Sequence, residues 1–411
     1  MTKWTATRVG LAAWFAIFPA SAAFAANNVI FVTSDTGTGS LSTWLHANAK
    51  TGLAAADAVC QFEADNAGLG PGTFRAWLSD SSNDAYCRVS GFGGKVSANC
   101  GQASLPTDAG PWVRTDGKPF SPTLDELTAG PGVVYEPVLL DQHHDPAPLI
   151  YFTATHRDGT YDAGHGDCLD WGTGSNLQLA SGGYADQTTQ SWTAGVFLAC
   201  NQSLSLVCMQ TGAGPALPPY LAQGVPAFLT DSMLGGDLGS WSEASGQTGL
   251  AAGDAICETE AAANHVWGGG HYRAWLASSG NDATDRITGN GPWVRFDGIE
   301  VAASRSELIS GTLEAPINFE PSGTYESNAG AWTGSDASGL ETADTCGDWT
   351  DTGQQGRTGL VNRSSSGWAG GPGASSCGLT LAHLYCLCDQ TLIFGDGLER
   401  GDLTGWTKHL P

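Results

Sequence analysis

Residues 31–60 read FVTSDTGTGSLSTWLHANAKTGLAAADAVC, and residues 228–257 read FLTDSMLGGDLGSWSEASGQTGLAAGDAIC. The two stretches align without a gap at an offset of 228 − 31 = 197 residues. Further on, GTFRAWLSDSSNDA from Gly72 meets GHYRAWLASSGNDA from Gly270, and GPWVRTDG from Gly110 meets GPWVRFDG from Gly291. Cys168-Leu169-Asp170-Trp171 answers Cys346-Gly347-Asp348-Trp349, and Cys200 and Cys208 answer Cys377 and Cys386. The order is constant and only loop lengths change. A repeat this long means tandem globular domains, because solenoid repeats run to about 20–45 residues. Copy one spans 28–210 and copy two 226–389. TGAGPALPPYLAQGVP between them reads as a short stiff linker over 211–225.

Within each copy a short β-like run (Val29 to Thr33; Ala227 to Thr230) leads through a Gly-rich turn into a helix. Thr51 is placed to cap it, and Leu53, Ala56, Cys60, Ala64 and Ala67 share one face at helical spacing. The stretch after Gly72 alternates as a strand, with Phe74, Ala76 and Leu78 on one face and Arg75 and Trp77 on the other. Beyond it lie turns and short strands, so the expected class is α+β.

The chain has 411 residues, 41% hydrophobic and only 14% charged, with 57 Gly and 15 Trp. That composition supports compact, turn-rich domains. A net charge of −24 repels phosphate backbones and anionic lipid, which excludes nucleic acid and heparin-type polyanions as expected partners. Lys3 and Arg8 precede the apolar run GLAAWFAIFPASAAFA, which ends in an Ala23-Phe24-Ala25 cleavage pattern. Residues 1–25 are therefore expected to be a secretory signal peptide, too short in its apolar part for a membrane span. The expected location is exported: extracellular, cell-surface or periplasmic. There, 11 cysteines are expected mostly as disulfides, and the odd number leaves one over.

The helix with its cysteine, GTFRAWL, the WVRxDG strand and AWTGSDASGLETADTCGDW from Ala331 together resemble the endostatin domain and related bacterial C-type-lectin-fold domains. The resemblance covers most of both copies and implies two tandem C-type-lectin-like domains with nested disulfides. It pairs Cys60 with Cys208, Cys168 with Cys200, Cys257 with Cys386 and Cys346 with Cys377. Cys87 and Cys100 lie in an insertion peculiar to copy one and most simply staple that loop to itself. Cys388 is left as an unpaired surface thiol.

Four candidate chemistries follow. DQHHDPAPLIYFTATHRDGTYDAGHGDC, from Asp141, offers His143, His144, His156 and His165 beside Asp145, a donor set suited to zinc. Copy two has no histidine there. The lectin resemblance points to calcium, with Glu136-Pro137 and Glu320-Pro321 in both copies, although Val138 and Ser322 replace the next ligand. The sequence commits to no cofactor; calcium and zinc are the candidates. Hydrolysis lacks a G-x-S-x-G elbow, so no catalytic residue is assigned. Trp44, Trp77, Trp112 and Trp171 recur in copy two and read as core, while Trp192 and Trp368 in Gly/Ser-rich loops read as surface candidates for sugar stacking.

Arg75, Arg273, Arg114 and Arg295 recur with the motifs, and in so acidic a chain they read as struts paired to carboxylates. The tail over 390–411, LIFGDGLERGDLTGWTKHLP within it, is similar to short tails that end many exported bacterial proteins, which implies sorting or anchoring. The expected function is non-enzymatic recognition of an extracellular glycan or of a matrix or surface protein. The alternative is a structural envelope protein, and a metal-dependent hydrolase comes third.

Overall fold

The computed structural model describes residues 27–217, 222–266, 269–371 and 373–390. The signal peptide expected over 1–25, the middle of the linker and tail residues 391–411 lie outside the described residues.

In the first half the strands are β1 (Asn28–Val32), β2 (Phe74–Ala76), β3 (Trp112–Val113), β4 (Pro119–Ser121), β5 (Ile150–Phe152), β6 (Leu179–Tyr184), β7 (Val196–Ala199) and β8 (Ser205–Gln210). The helices are α1 (Gly52–Ala67), α2 (Ala85–Val89), α3 (Leu124–Thr128) and α4 (Cys168–Trp171). In the second half they are β9 (Val225–Leu229), β10 (Tyr272–Ala274), β11 (Trp293–Val294), β12 (Glu300–Ala302), β13 (Gly330–Trp332), β14 (Gln355–Leu360), β15 (Ala374–Ser376) and β16 (His383–Cys388). Its helices are α5 (Gly249–Ala263), α6 (Ala283–Arg286), α7 (Arg305–Leu308) and α8 (Cys346–Trp349).

Each half forms an eight-stranded mixed sheet, and the two orders are the same: β4-β3-β1-β8-β5-β6-β7 and β12-β11-β9-β16-β13-β14-β15. β8 is central. One edge pairs antiparallel with β1; the other pairs with β5 at Ser205 and Leu206, then with β2 from Cys208 to Gln210. The alternation read from the RAWL strand places Phe74, Ala76 and Leu78 in the core under α1, and Trp77 in the core on the opposite face with Val207 and Met209. Both faces of the sheet are therefore dry, which is why Trp77 and Trp275 are fully buried.

Five disulfides link Cys60–Cys208, Cys87–Cys100, Cys168–Cys200, Cys257–Cys386 and Cys346–Cys377. Two tie the long helix of each half to its central strand. Cys388 forms no disulfide and is buried in β16 opposite Tyr272, not at the surface. Burial pushes its thiol up to about 11, so it is an inert core group.

Three further expectations are corrected. Thr51 occupies the cap position of α1, but its side chain bonds no backbone N–H. Trp192 and Trp368 are buried and equivalent, their rings packed at a tilt 5.0 Å from Trp77 and 4.8 Å from Trp275. They reach the core because Gly183 and Gly359 carry no Cβ; one at either would collide with the Trp192 or Trp368 carbonyl. Finally, Glu136-Pro137 and Glu320-Pro321 are not equivalent. The Leu140 carbonyl accepts from Val32 N–H and that of Phe319 from Leu229 N–H, so Asp141 is the counterpart of Glu320. A loop of different length had hidden that register.

The halves meet through a polar seam. Gln187 and Arg363 form an antiparallel bridge, flanked by Thr188 N–H to Asn362 O and Ser364 N–H to Asp186 O, both 2.9 Å. Asn318 Nδ2 donates to Thr188 Oγ1 at 3.2 Å, and Asn362 Nδ2 to Ser191 Oγ at 3.1 Å.

Candidate functional site

The recurrent arginines divide into two kinds. Arg114 is buried beside Asp116 and reaches Glu136 at 3.3 Å and, across the seam, Glu314 at 3.4 Å. Arg295 pairs with Asp297 at 2.7 Å, donates to the Pro316 carbonyl and Asn318 Oδ1, and crosses the seam to the Tyr135 carbonyl at 3.3 Å. These two are struts.

Among the described residues Arg75 pairs with no carboxylate, contrary to expectation; its Nη1 donates to the Arg88 and Phe92 carbonyls at 3.0 and 2.7 Å. Arg273 bonds the Tyr272 carbonyl and lies 3.8 Å from Asp254. The carboxylate partners that had been expected there are taken by Arg88 and Arg286. Each pairs with an aspartate of the long helix, Asp57 or Asp254, and donates to both flanking carbonyls of its RAWL strand. The signal was present in the aligned NDAYCR and NDATDR, which carry an arginine at one repeat position.

The histidine-rich segment does not assemble as one site. His143, His144 and Asp145 are exposed, and the Asp141 carboxylate is spent on the backbone N–H groups of residues 143 and 145. His156 and His165 instead flank Asp162 at 3.4 and 2.8 Å. Burial pushes the Asp162 carboxyl up, but the His165 hydrogen bond and the His156 charge hold it below its ordinary value. The lectin-type calcium set is not assembled either: Glu136 is fully buried against Arg114 and is not the counterpart of Glu320.

Among the described residues, two other sets bring donor atoms within 4.8 Å of one another: Asp35, His46 and Glu63, and Glu320, Glu326 and His383. Both occupy one corner of their half, where the long helix passes the turn after the first strand and the loop of Asp141 or Glu320. Glu63 feels Asp35 and Asp141, and Glu320 feels Asp231, Glu326 and Glu260. Burial first, then these neighbours, pushes Glu63 and Glu320 each up to about 7. The apolar spacing of the long helix does not single out Glu63 and Glu260, yet each stands three residues after its helix cysteine, an acid on a buried face in both copies.

A pocket of about 570 Å³ opens where the halves meet. Pro111, Pro119, Pro122, Tyr135, Leu217 and Ile299 give it apolar walls, and Asp108 and Asp297 add carboxylates. Gly212, Ala213 and Gly214 of the linker run beside Gly110 and close one side.

Comparison with known proteins finds no family model that matches the chain and no curated protein similar to it. Among the described residues no helix is long and apolar enough to cross a membrane.

Proposed function

We propose that the protein is an exported, non-enzymatic binding protein in which two C-type-lectin-like halves form one rigid recognition unit for an extracellular glycan or a matrix or surface protein. The observation that carries this reading is the pocket at the junction, built by loops of both halves. Ligand sites concentrate where domains meet, and proline and tyrosine walls with the Asp108 carboxylate as an acceptor suit a sugar ring or an extended peptide. Five disulfides accord with an oxidising compartment.

The test is a glycan and matrix-protein array probed with the purified protein and with Ala216→Trp. Ala216 lines the pocket and is exposed, so the larger ring obstructs the mouth without entering the core. Loss of about tenfold or more in affinity for an arrayed ligand, with unchanged melting temperature, supports the reading. No arrayed ligand, or equal binding by the variant, removes it.

A further inference from the structure

We propose that the acidic corner repeated in the two halves is a divalent-metal site, one zinc-class ion in each half, held by Glu320, Glu326 and His383 in the second and by Asp35, His46 and Glu63 in the first.

The first support is repetition of place without repetition of sequence. The long-helix glutamate, Glu63 or Glu260, and the loop acid, Asp141 or Glu320, recur in both halves. The imidazole does not. His46 arrives from the turn that follows residues 41–43, while His383 is the first residue of β16. Position 383 corresponds to Ser205 in the first half, and position 46 to Glu243 in the second. Each half thus brings one histidine to the same acidic corner by a different route.

The second support is charge. Glu320 and Glu326 bring carboxylate oxygens within 4.8 Å of each other, Asp231 and Glu260 stand beside them, and Glu320 is 8% exposed. Asp231 N–H and Ser232 N–H bond Glu260 at 2.6 and 2.9 Å, but no lysine or arginine pairs with any of the four among the described residues. Glu260 and Glu320 are buried and Glu326 half-buried; carboxylates gathered there without a cation are costly, and a divalent ion removes that cost.

The third is the state of His383. The ring is 3% exposed, and Nδ1 lies 2.7 Å from the Thr230 carbonyl and 3.9 Å from Glu320 Oε1. The carbonyl calls for the proton on Nδ1, which leaves Nε2 a bare lone pair, buried and without a hydrogen-bond partner. With Nδ1–H anchored to the Thr230 carbonyl, Nε2 is the nitrogen left to ligate, buried and unsatisfied, on a ring that reaches the two carboxylates within 4.8 Å. In the first half His46 Nδ1 is 2.8 Å from Asp35 Oδ2, its ring stacked on Phe62. One imidazole with two carboxylates favours zinc-class ions over calcium or magnesium, which take oxygen ligands.

The experiment is calorimetric titration of the chelator-treated protein with zinc chloride and, separately, calcium chloride, with metal analysis after dialysis. The expected result is two zinc equivalents per chain, bound at least about tenfold more tightly than calcium. Glu326→Gln and His46→Gln each remove one equivalent; both positions are only half-buried, so circular dichroism and the metal-free melting temperature stay unchanged. A quadruple alanine variant at His143, His144, His156 and His165 keeps both equivalents. Less than about 0.2 equivalents in the wild type, full loading of Glu326→Gln and His46→Gln, loss of zinc in the quadruple variant, or calcium that zinc does not displace would each overturn the proposal.

Discussion

Gln187 of the first half and Arg363 of the second face each other in an antiparallel bridge, and the two residues hold the same position in their respective halves. The bonds beside it are exchanged in kind, Thr188 to Asn362 and Ser364 to Asp186. Arg114 and Arg295 likewise each reach across to the other half. The seam is therefore isologous, one patch meeting its own copy as in a two-fold dimer, but within a single chain.

A seam of buried hydrogen bonds should make the halves unfold together. Asp186 is 2% exposed and receives Ser365 Oγ–H and, at 3.4 Å, Arg363 Nε. Asp186→Ala is expected to cost about 2–3 kcal/mol and to split one urea transition into two. Tryptophan fluorescence reads this directly; an unchanged midpoint would show that the seam adds nothing.

The two kinds of arginine predict different losses. Arg114→Ala removes the guanidinium that pairs with Asp116, Glu136 and Glu314 in a buried place; burial already pushes the Glu136 carboxyl up to about 8, so the loss is expected at about 2–3 kcal/mol, not that of a stranded full charge. Arg75→Ala releases two carbonyls beside solvent and is expected to cost about 1 kcal/mol, leaving ligand affinity of the folded protein intact. Chemical denaturation of both variants, together with array binding, separates strut from ligand contact. Equal losses would contradict the division.

Residues 168–171 and 346–349 each make a turn with every φ positive, from 50° to 62° and from 53° to 66°. Left-handed backbone costs an L-residue roughly 1–2 kcal/mol, and the second half relieves one position with Gly347 where the first has Leu169. Leu169 is 64% exposed, so little burial is lost by replacing it. Leu169→Gly is expected to gain up to about 1 kcal/mol, and Gly347→Ala to lose a similar amount. Thermal unfolding of the pair checks both signs.

The corner acids make stability depend on pH. Glu63 and Glu320 titrate near 7 in the folded chain against an ordinary 4.5. Between those values the folded state holds protons that the unfolded state has released, so these two groups make stability fall as pH rises from 4.5 to 7. The loss is on the order of 1–3 kcal/mol for the two together. Glu63→Gln with Glu320→Gln should reduce the slope measured by urea unfolding at each pH, leaving the share of the buried Glu136, which burial pushes up to about 8; a slope unchanged by the double variant would remove the assignment.

Much of the architecture was legible because it is written twice. FVTSD…AVC against FLTDS…AIC, the RAWL strand and the WVRxDG strand are local patterns, and their alternation and spacing carry secondary structure and burial directly. The candidate site was not legible in this way. The donors of the histidine-rich segment are adjacent in sequence, yet chain adjacency on an exposed loop brings His143 and His165 to no common centre.

The sequence by itself determined the duplication, the mixed α+β character and the acidic balance, since each depends only on residue order and composition. Tertiary structure decided which residues meet. It turned Trp192 and Trp368 inward over Gly183 and Gly359, joined Arg114 to Glu314 across the seam, and brought His383 of β16 to Glu320 and Glu326. Those contacts join segments many residues apart, and their register depends on loop lengths and on what a close-packed interior admits, neither of which a local pattern encodes.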